Sequence, residues 1–193
     1  SSGNHLLGLI EDVLDLSKIE HGQVEVSIAP VDLLRTLRQS ITMVQPVLSR
    51  YRISIVDDAL SNAPMPLVHA DEVRLRQCIM NLLSNGAKYN KPGGKIIIKC
   101  EITPAGRARL IIEDTGIGIP RERLSELFKP FTRVSKREEV EGSGIGLAIT
   151  RQFVEQMDGK VSVVSKEGVG SRFALELPLV AGTQTFAGNS LRR

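Results

Sequence analysis

The chain has 193 residues, 41% apolar and 24% charged, which suits one globular domain with a substantial core and an appendage. A formal net charge of +3, with no tryptophan and neither a basic face nor interleaved aromatics, argues against nucleic acid as a partner. No apolar run approaches the roughly 20 residues of a membrane span, and the first residues lack the plan of a signal peptide.

From Asn4 to about His21 the pattern is helical, with Leu6, Leu9, Val13 and Leu16 at heptad spacing and Leu7, Ile10 and Leu14 widening the stripe. A stripe this wide has to be covered by other helices, and Gly22 is a natural stop. Val24–Ile28 alternates and reads as a strand. Val31–Ser49 reads as an amphipathic helix with Leu33, Leu34, Leu37, Ile41, Val44 and Leu48 inward. Arg52–Val56 is a second strand, residues 58–66 a loop, and Leu67–His69 a short strand. Asp71 then caps a helix running through Val73, Cys78, Ile79, Leu82 and Leu83 to about Tyr89. Lys91-Pro-Gly-Gly94 turns the chain into a hairpin, Ile96–Ile102 and Arg107–Glu113, with Ile96, Ile98, Cys100 and Ile102 on one face.

Short helical pieces are expected over Pro120–Phe131. The polar run Arg133–Gly144 has almost nothing to bury and is expected to be mobile. A helix from about Ile145 to Met157 closes at Asp158-Gly159, and Lys160–Ser165 pairs with Ser171–Leu177. Beyond Pro178 the composition is that of a linker. The sum is an α+β mixed sheet of about five strands with helices on one face, preceded by one long helix. Cys78 and Cys100 lack metal spacing and read as small buried hydrophobes in a reducing compartment, which places the chain in the cytosol.

Chemistry concentrates where Leu110-Ile-Ile-Glu113 delivers Asp114-Thr-Gly116-Ile-Gly118-Ile-Pro120. A strand ending in Asp-x-Gly-x-Gly holds a carboxylate rigidly while bare backbone passes close to a neighbour. Taken alone, the segment reads more readily as a tight turn after a strand. Three further blocks change the weighing: Asn81-Leu-Leu-Ser-Asn85-Gly-Ala-Lys88-Tyr89-Asn90, Phe128-Lys-Pro-Phe131, and Gly142-Ser-Gly144-Ile-Gly146-Leu147. In that order they resemble the N, G1, F and G2 boxes of a sensor histidine kinase's ATP-binding domain. The resemblance runs from about His5 to Leu179.

The resemblance implies a two-layer α/β sandwich of the GHKL (Bergerat) ATPase type that binds ATP and Mg²⁺. Asp114, helped by Gly116 and Gly118, would accept a hydrogen bond from the adenine amino group. Asn85 would be the metal ligand and Asn81 a second polar contact, with Lys88 and Tyr89 on phosphate or ribose. A solvated helix face is the bland alternative, disfavoured because asparagine is a mediocre helix former in an otherwise apolar stretch. Gly142, Gly144, Gly146 and Leu147 open a helix whose N–H groups suit phosphate oxygens. Arg133, and more weakly Lys129, are lid candidates for the γ-phosphate, with surface charge as their alternative. Ser171 stands where the family has a hydroxyl near the nucleotide.

Residues 1–22 resemble the second helix of the family's dimerisation and phosphoacceptor hairpin, residues 23–179 its catalytic domain, and residues 180–193 a flexible tail. None of His5, His21 and His69 lies in a phosphoacceptor motif. The expectation is therefore a fragment that begins after that motif and passes the γ-phosphoryl of ATP to a histidine elsewhere. A response-regulator receiver domain would be the next acceptor, and the full-length protein a homodimer. Another GHKL ATPase or kinase shares the boxes, although the Asp15-Leu-Ser-Lys-Ile-Glu20 helix argues against it. A nucleotide-sensing module without turnover is the non-enzymatic alternative.

Overall fold

Two neighbouring strands, with Ile96 and Ile98 opposite Asp114 and Ile112, mark the centre of the sheet in the computed structural model. The structure describes residues 25–57, 66–132 and 143–181, together with Ile10, Val13, Leu14 and Ser17. Its elements are β1 (Ala29–Asp32), α1 (Leu33–Tyr51), β2 (Ser54–Asp57), β3 (Leu67–Ala70), α2 (Glu72–Lys88), β4 (Lys95–Ile102) and β5 (Arg107–Asp114). A 3-10 turn (Arg121–Glu126), α3 (Gly146–Gln156), β6 (Lys160–Lys166) and β7 (Gly170–Pro178) complete them.

Five strands form a mixed sheet in the order β2-β4-β5-β7-β6, with β2 parallel to β4 and every other pair antiparallel. Strand period puts Ile96, Ile98, Leu110, Ile112, Phe173 and Leu175 on one face, where all are buried. That face meets Leu75, Ile79, Leu82 and Leu83 of α2 and Ile149, Phe153 and Val154 of α3. Leu33, Leu37, Val44 and Leu48 of α1 belong to the same core. Each such side chain contributes about 1.5–3 kcal/mol when fully removed from water. The opposite face is charged. There Arg109 bridges Glu101 at 2.7 Å and Glu176 at 2.9 Å, and Arg172 reaches Glu113 at 2.9 Å. The expected mixed sheet under helices is therefore the observed one, a two-layer α/β sandwich.

Some boundaries differ from expectation. The strand expected over Val24–Ile28 is displaced: residues 25–28 carry no strand, and the pairing falls on Ala29–Asp32 against Leu67–Ala70. The Ser27 N–H instead donates to Asp71 Oδ2 at 3.0 Å. Ala29-Pro30 is a poor strand signal in sequence, but a proline is tolerated on an edge strand. In α1 the core face also includes Thr36 and Ser40, whose hydroxyls donate to the carbonyls of Asp32 and Thr36 one turn back at 2.9 and 2.8 Å. Polar residues so satisfied can be buried at little cost. Leu34 is only half-buried, and Ile102 at the end of β4 is exposed.

Asp71 caps α2 as expected, its carboxylate accepting from the Val73 and Arg74 N–H groups. Cys78 and Cys100 are free thiols, pushed up to about 12 and about 11 by burial, which keeps them protonated and unreactive. Ile10, Val13 and Leu14 are helical and about half exposed, at 48%, 45% and 51%. The remainder of the expected Asn4–His21 helix, the 58–65 part of the expected loop, most of the expected mobile run and the tail from residue 182 lie outside the described residues. Among the described residues no helix is long and apolar enough to cross a membrane.

Candidate functional site

Asp114 is the last residue of β5, and strand alternation turns its side chain to the helix-covered face beneath α2. There it is 8% exposed. Burial pushes the carboxyl up to about 6, against the pull of backbone N–H groups from Gly116 and Ser171 and with a further push from Glu113. The two donors, at 2.8 and 3.3 Å, both fall on Oδ1. Oδ2 has no hydrogen-bond partner among the described residues. A carboxylate with one oxygen fixed and the other unspent is an oriented acceptor.

The loop after Asp114 is held from both sides by main chain. The Ile117 N–H donates to Tyr89 O at 3.1 Å, and the Ile117 carbonyl accepts from the Gly168 N–H at 2.7 Å. Gly118 has φ +67°, and a Cβ there would run into the Lys166 carbonyl. Its glycine is thus required by the β6–β7 turn that it lies against.

Asn90, just past α2, locks the same region. Its Nδ2 donates to Gly86 O at 3.0 Å and Lys95 O at 3.1 Å. Its Oδ1 accepts from the Lys91 N–H at 3.0 Å and the Thr115 hydroxyl at 3.2 Å. Asn90→Ala should destabilise the fold by about 2–4 kcal/mol, since buried carbonyls lose their donors. Denaturant titration checks this, with no change in midpoint as the contrary result.

On α2, Asn81 and Asn85 lie one turn apart on the side facing α3. Asn81 Nδ2 donates to the Thr150 hydroxyl of α3 at 2.8 Å, and Asn85 Nδ2 approaches Asn81 Oδ1 at 3.5 Å. Asn85 Oδ1 has no partner among the described residues. Gly146, the first residue of α3, abuts Asn81 so closely that a Cβ would clash with the amide group. The α3 N-terminus has no side-chain cap, so its first N–H groups retain capacity for an anion.

The structure places these residues in two groups, Asn81, Asn85 and Gly146 at the α2–α3 contact and Asp114, Gly116 and Ser171 at the end of β5, with Gly86 of α2 close to the Asp114 side chain. Gly144 packs on the backbone of Phe131 and Thr132. Lys88 ends α2, and Tyr89 engages the Asp114 loop through its carbonyl. Leu147 packs its side chain against the core, which leaves its backbone N–H as the group at the helix end. Lys129 is exposed, while Arg133 and Gly142 lie outside the described residues. Phe128 is half-buried under the Arg151 guanidinium, 5.8 Å from its ring centre, and Phe131 is exposed with φ +62°.

Sequence reasoning gave no role to Asn90, Thr150 or Ser165. Thr150 was detectable as a hydroxyl within the apolar face Ile145-Ile149-Phe153. Asn90 and Ser165 each join near neighbours to one residue farther along the chain, Thr115 and Ile119, and gave no comparable signal.

A two-layer sandwich with a buried carboxylate at the end of its central strand and two amides on the helix above the sheet is the frame of a GHKL-type domain. The chain belongs to the family of histidine kinase-, DNA gyrase B-, and HSP90-like ATPases, whose sequence pattern matches residues 70–181. The relationship expected from the four motif blocks is thereby borne out. Over 179 residues the chain is 37% identical to the circadian input-output histidine kinase CikA of Synechococcus elongatus, covering 92% of this chain and 24% of that protein. It is 34% identical over 185 residues to the autoinducer 2 sensor kinase/phosphatase LuxQ of Vibrio parahaemolyticus, covering 92% and 21%. Full-length ShkA, crystallised in complex with AMPPNP, superposes with a TM-score of 0.81 at 32% identity, covering 95% of this chain and 38% of that one. The chain thus spans about a quarter or less of the length of these curated relatives.

Proposed function

We propose that this chain is the ATP-binding catalytic domain of a sensor histidine kinase, with residues 1–22 the second helix of a phosphoacceptor hairpin, 23–179 the catalytic domain and 180–193 a tail. The observation that carries the proposal is Asp114, fixed through Oδ1 by two backbone donors with Oδ2 unspent. That oxygen accepts from the exocyclic amino group of adenine. Guanine and hypoxanthine carry a carbonyl there and are disfavoured.

Asn81 and Asn85 line the path from base to phosphates, with Lys88 and Tyr89 at the end of the same helix. The uncapped N-terminus of α3, with Gly144, Gly146 and the backbone of Leu147, receives phosphate oxygens. Arg133 and Gly142 complete the phosphate contacts, and Ser171 flanks the base.

Among the described residues no cluster of three or more histidine, cysteine or acidic side chains is placed to hold a metal. The donor chemistry fits Mg²⁺ all the same, because this ion keeps several waters and takes phosphate oxygens alongside a few protein oxygens. Asn85 Oδ1 would be the protein oxygen that holds it, and the bound ion would supply neutralisation of phosphate charge. The protein's own part is to orient the nucleotide and exclude water.

The phosphoryl group then passes to a histidine on another segment of the same or a partner subunit. A response-regulator aspartate takes it on, completing a two-component relay. The domain works on the cytoplasmic side, and the full-length kinase is a homodimer.

Mixing this chain with a separately prepared phosphoacceptor hairpin and γ-labelled ATP tests the proposal. Label should appear on the hairpin in an acid-labile form and not on this chain alone. Release of inorganic phosphate without labelled hairpin would place the chain among the ATPases of the family instead.

A further inference from the structure

Ser165, at the inner end of β6, is the hub of a small hydroxyl network beside Asp114. Its Oγ accepts from the Ile119 N–H at 2.8 Å and donates to the Gly170 carbonyl at 2.9 Å. It also lies 3.0 Å from the Ser171 hydroxyl. Proton counting settles the direction of that last contact. A serine hydroxyl has one hydrogen and two lone pairs. The single hydrogen of Ser165 is committed to Gly170 O, which can only accept, and one lone pair is taken by Ile119. The remaining lone pair has to receive the Ser171 hydrogen.

Ser171 is thereby stripped of donor capacity toward anything else. Its N–H is spent on Asp114 Oδ1, and its O–H on Ser165. Only lone pairs remain on its oxygen. Ser171 stands one residue beyond the Arg172–Glu113 pair, just as Asp114 does, so both side chains point to the same sheet face. The two groups next to each other at the end of β5 and the start of β7 are both acceptors.

We propose that Ser165 is a positioning residue for base selection: by holding the Ser171 hydrogen it makes Ser171 an acceptor-only neighbour of Asp114, and so extends discrimination in favour of an amino-bearing purine. The inference rests on Asp114 being the base-recognition carboxylate. An amino group has two hydrogens to give, which suits two acceptors. A 6-oxo purine offers a carbonyl to both and is repelled twice. Were the Ser171 hydroxyl free to turn, it would donate to that carbonyl and relax the selection.

The test compares ADP with IDP by calorimetry on the whole chain. The parent should prefer ADP. Ser165→Ala should reduce the ADP-to-IDP preference by about tenfold, mainly through tighter IDP binding. Ser165→Thr, which keeps the hydroxyl, should restore it. Ser171→Ala should also narrow the preference, and adding Ser165→Ala to it should change the ratio no further. A structural role for Ser165 would weaken both nucleotides together and leave their ratio unchanged, and that result overturns the inference. If Ser165→Ala does not fold, Ser171→Ala decides the matter, since an unaltered ratio there removes the acceptor that Ser165 is said to set. A parent that binds neither nucleotide refutes the base-recognition reading itself, a distinct outcome.

Discussion

Asp114→Asn should weaken ADP and ATP binding by about tenfold or more, because a charge-assisted hydrogen bond is worth roughly 1.5–3 kcal/mol. The effect goes beyond loss of charge. The Gly116 and Ser171 N–H groups hold Oδ1, so the asparagine oxygen will stay with them and its NH₂ will take the place of Oδ2. A donor then faces the adenine amino group, and a 6-oxo purine becomes relatively favoured. Calorimetry with ADP and IDP measures both consequences, and unchanged ADP affinity in a folded variant would remove Asp114 from the site.

The carboxyl's position near 6 adds a pH signature. Adenosine, which has no phosphate to titrate, should bind the parent less well as pH falls through about 6 and the acceptor takes up a proton. Stability without ligand should move the opposite way. The folded pKa is raised, so the native state binds this proton more readily than the unfolded chain does. Its contribution is fully present below the unfolded value, near 3.9, and is lost as pH rises through about 6. Asp114→Asn should therefore gain stability relative to the parent between acidic and neutral pH, by on the order of 2–3 kcal/mol. Denaturant midpoints at the two ends of that window test it. The site keeps a buried charge at a cost to the fold.

How much of this was legible depends on the range over which each residue acts. Asp71 is a local signal, a capping side chain bonded to N–H groups two and three residues on, and the start of α2 was correctly placed from it. The β4–β5 and β6–β7 hairpins likewise follow from alternation around short turns. Ala29–Asp32 failed as a strand signal because its pairing is supplied by β3 some forty residues away, against Ala70 through Leu67. Thr36 and Ser40 were missed from the core because a hydroxyl's partner, one turn back along the helix, is invisible to a hydrophobic pattern. In the site, Asp114, Asn81 and Asn85 stood out by motif, since each is the wrong residue type for its apolar surroundings. The clamp of Asn90 and the network of Ser165 each reach one residue farther along the chain, Thr115 and Ile119, and only the folded arrangement reveals that link. Gly146 shows both regimes. Its motif marked it as a phosphate residue, yet the structure adds a packing reason, the Asn81 amide against it.

That contact bears on the metal. Asn81 is held by Thr150 and backed by Gly146, and Asn85 directs its nitrogen toward Asn81. The orientation leaves the Asn85 oxygen available, the end of the amide that a hard cation takes. Asn85→Ala should therefore abolish the Mg²⁺ dependence of ATP affinity and lower phosphoryl transfer by about a hundredfold or more, because charge neutralisation at the phosphates is a major part of this chemistry. Adenosine affinity should hardly move, since Asp114 and Ser171 are untouched. Asn85→Asp separates charge from geometry: it retains an oxygen ligand, so its Mg²⁺ dependence should persist. Titrations of ATP and adenosine with and without Mg²⁺ read these terms separately. A variant that titrates with Mg·ATP like the parent would show that the ion is held elsewhere, and equal losses of ATP and adenosine would reduce Asn85 to a prop for Asn81.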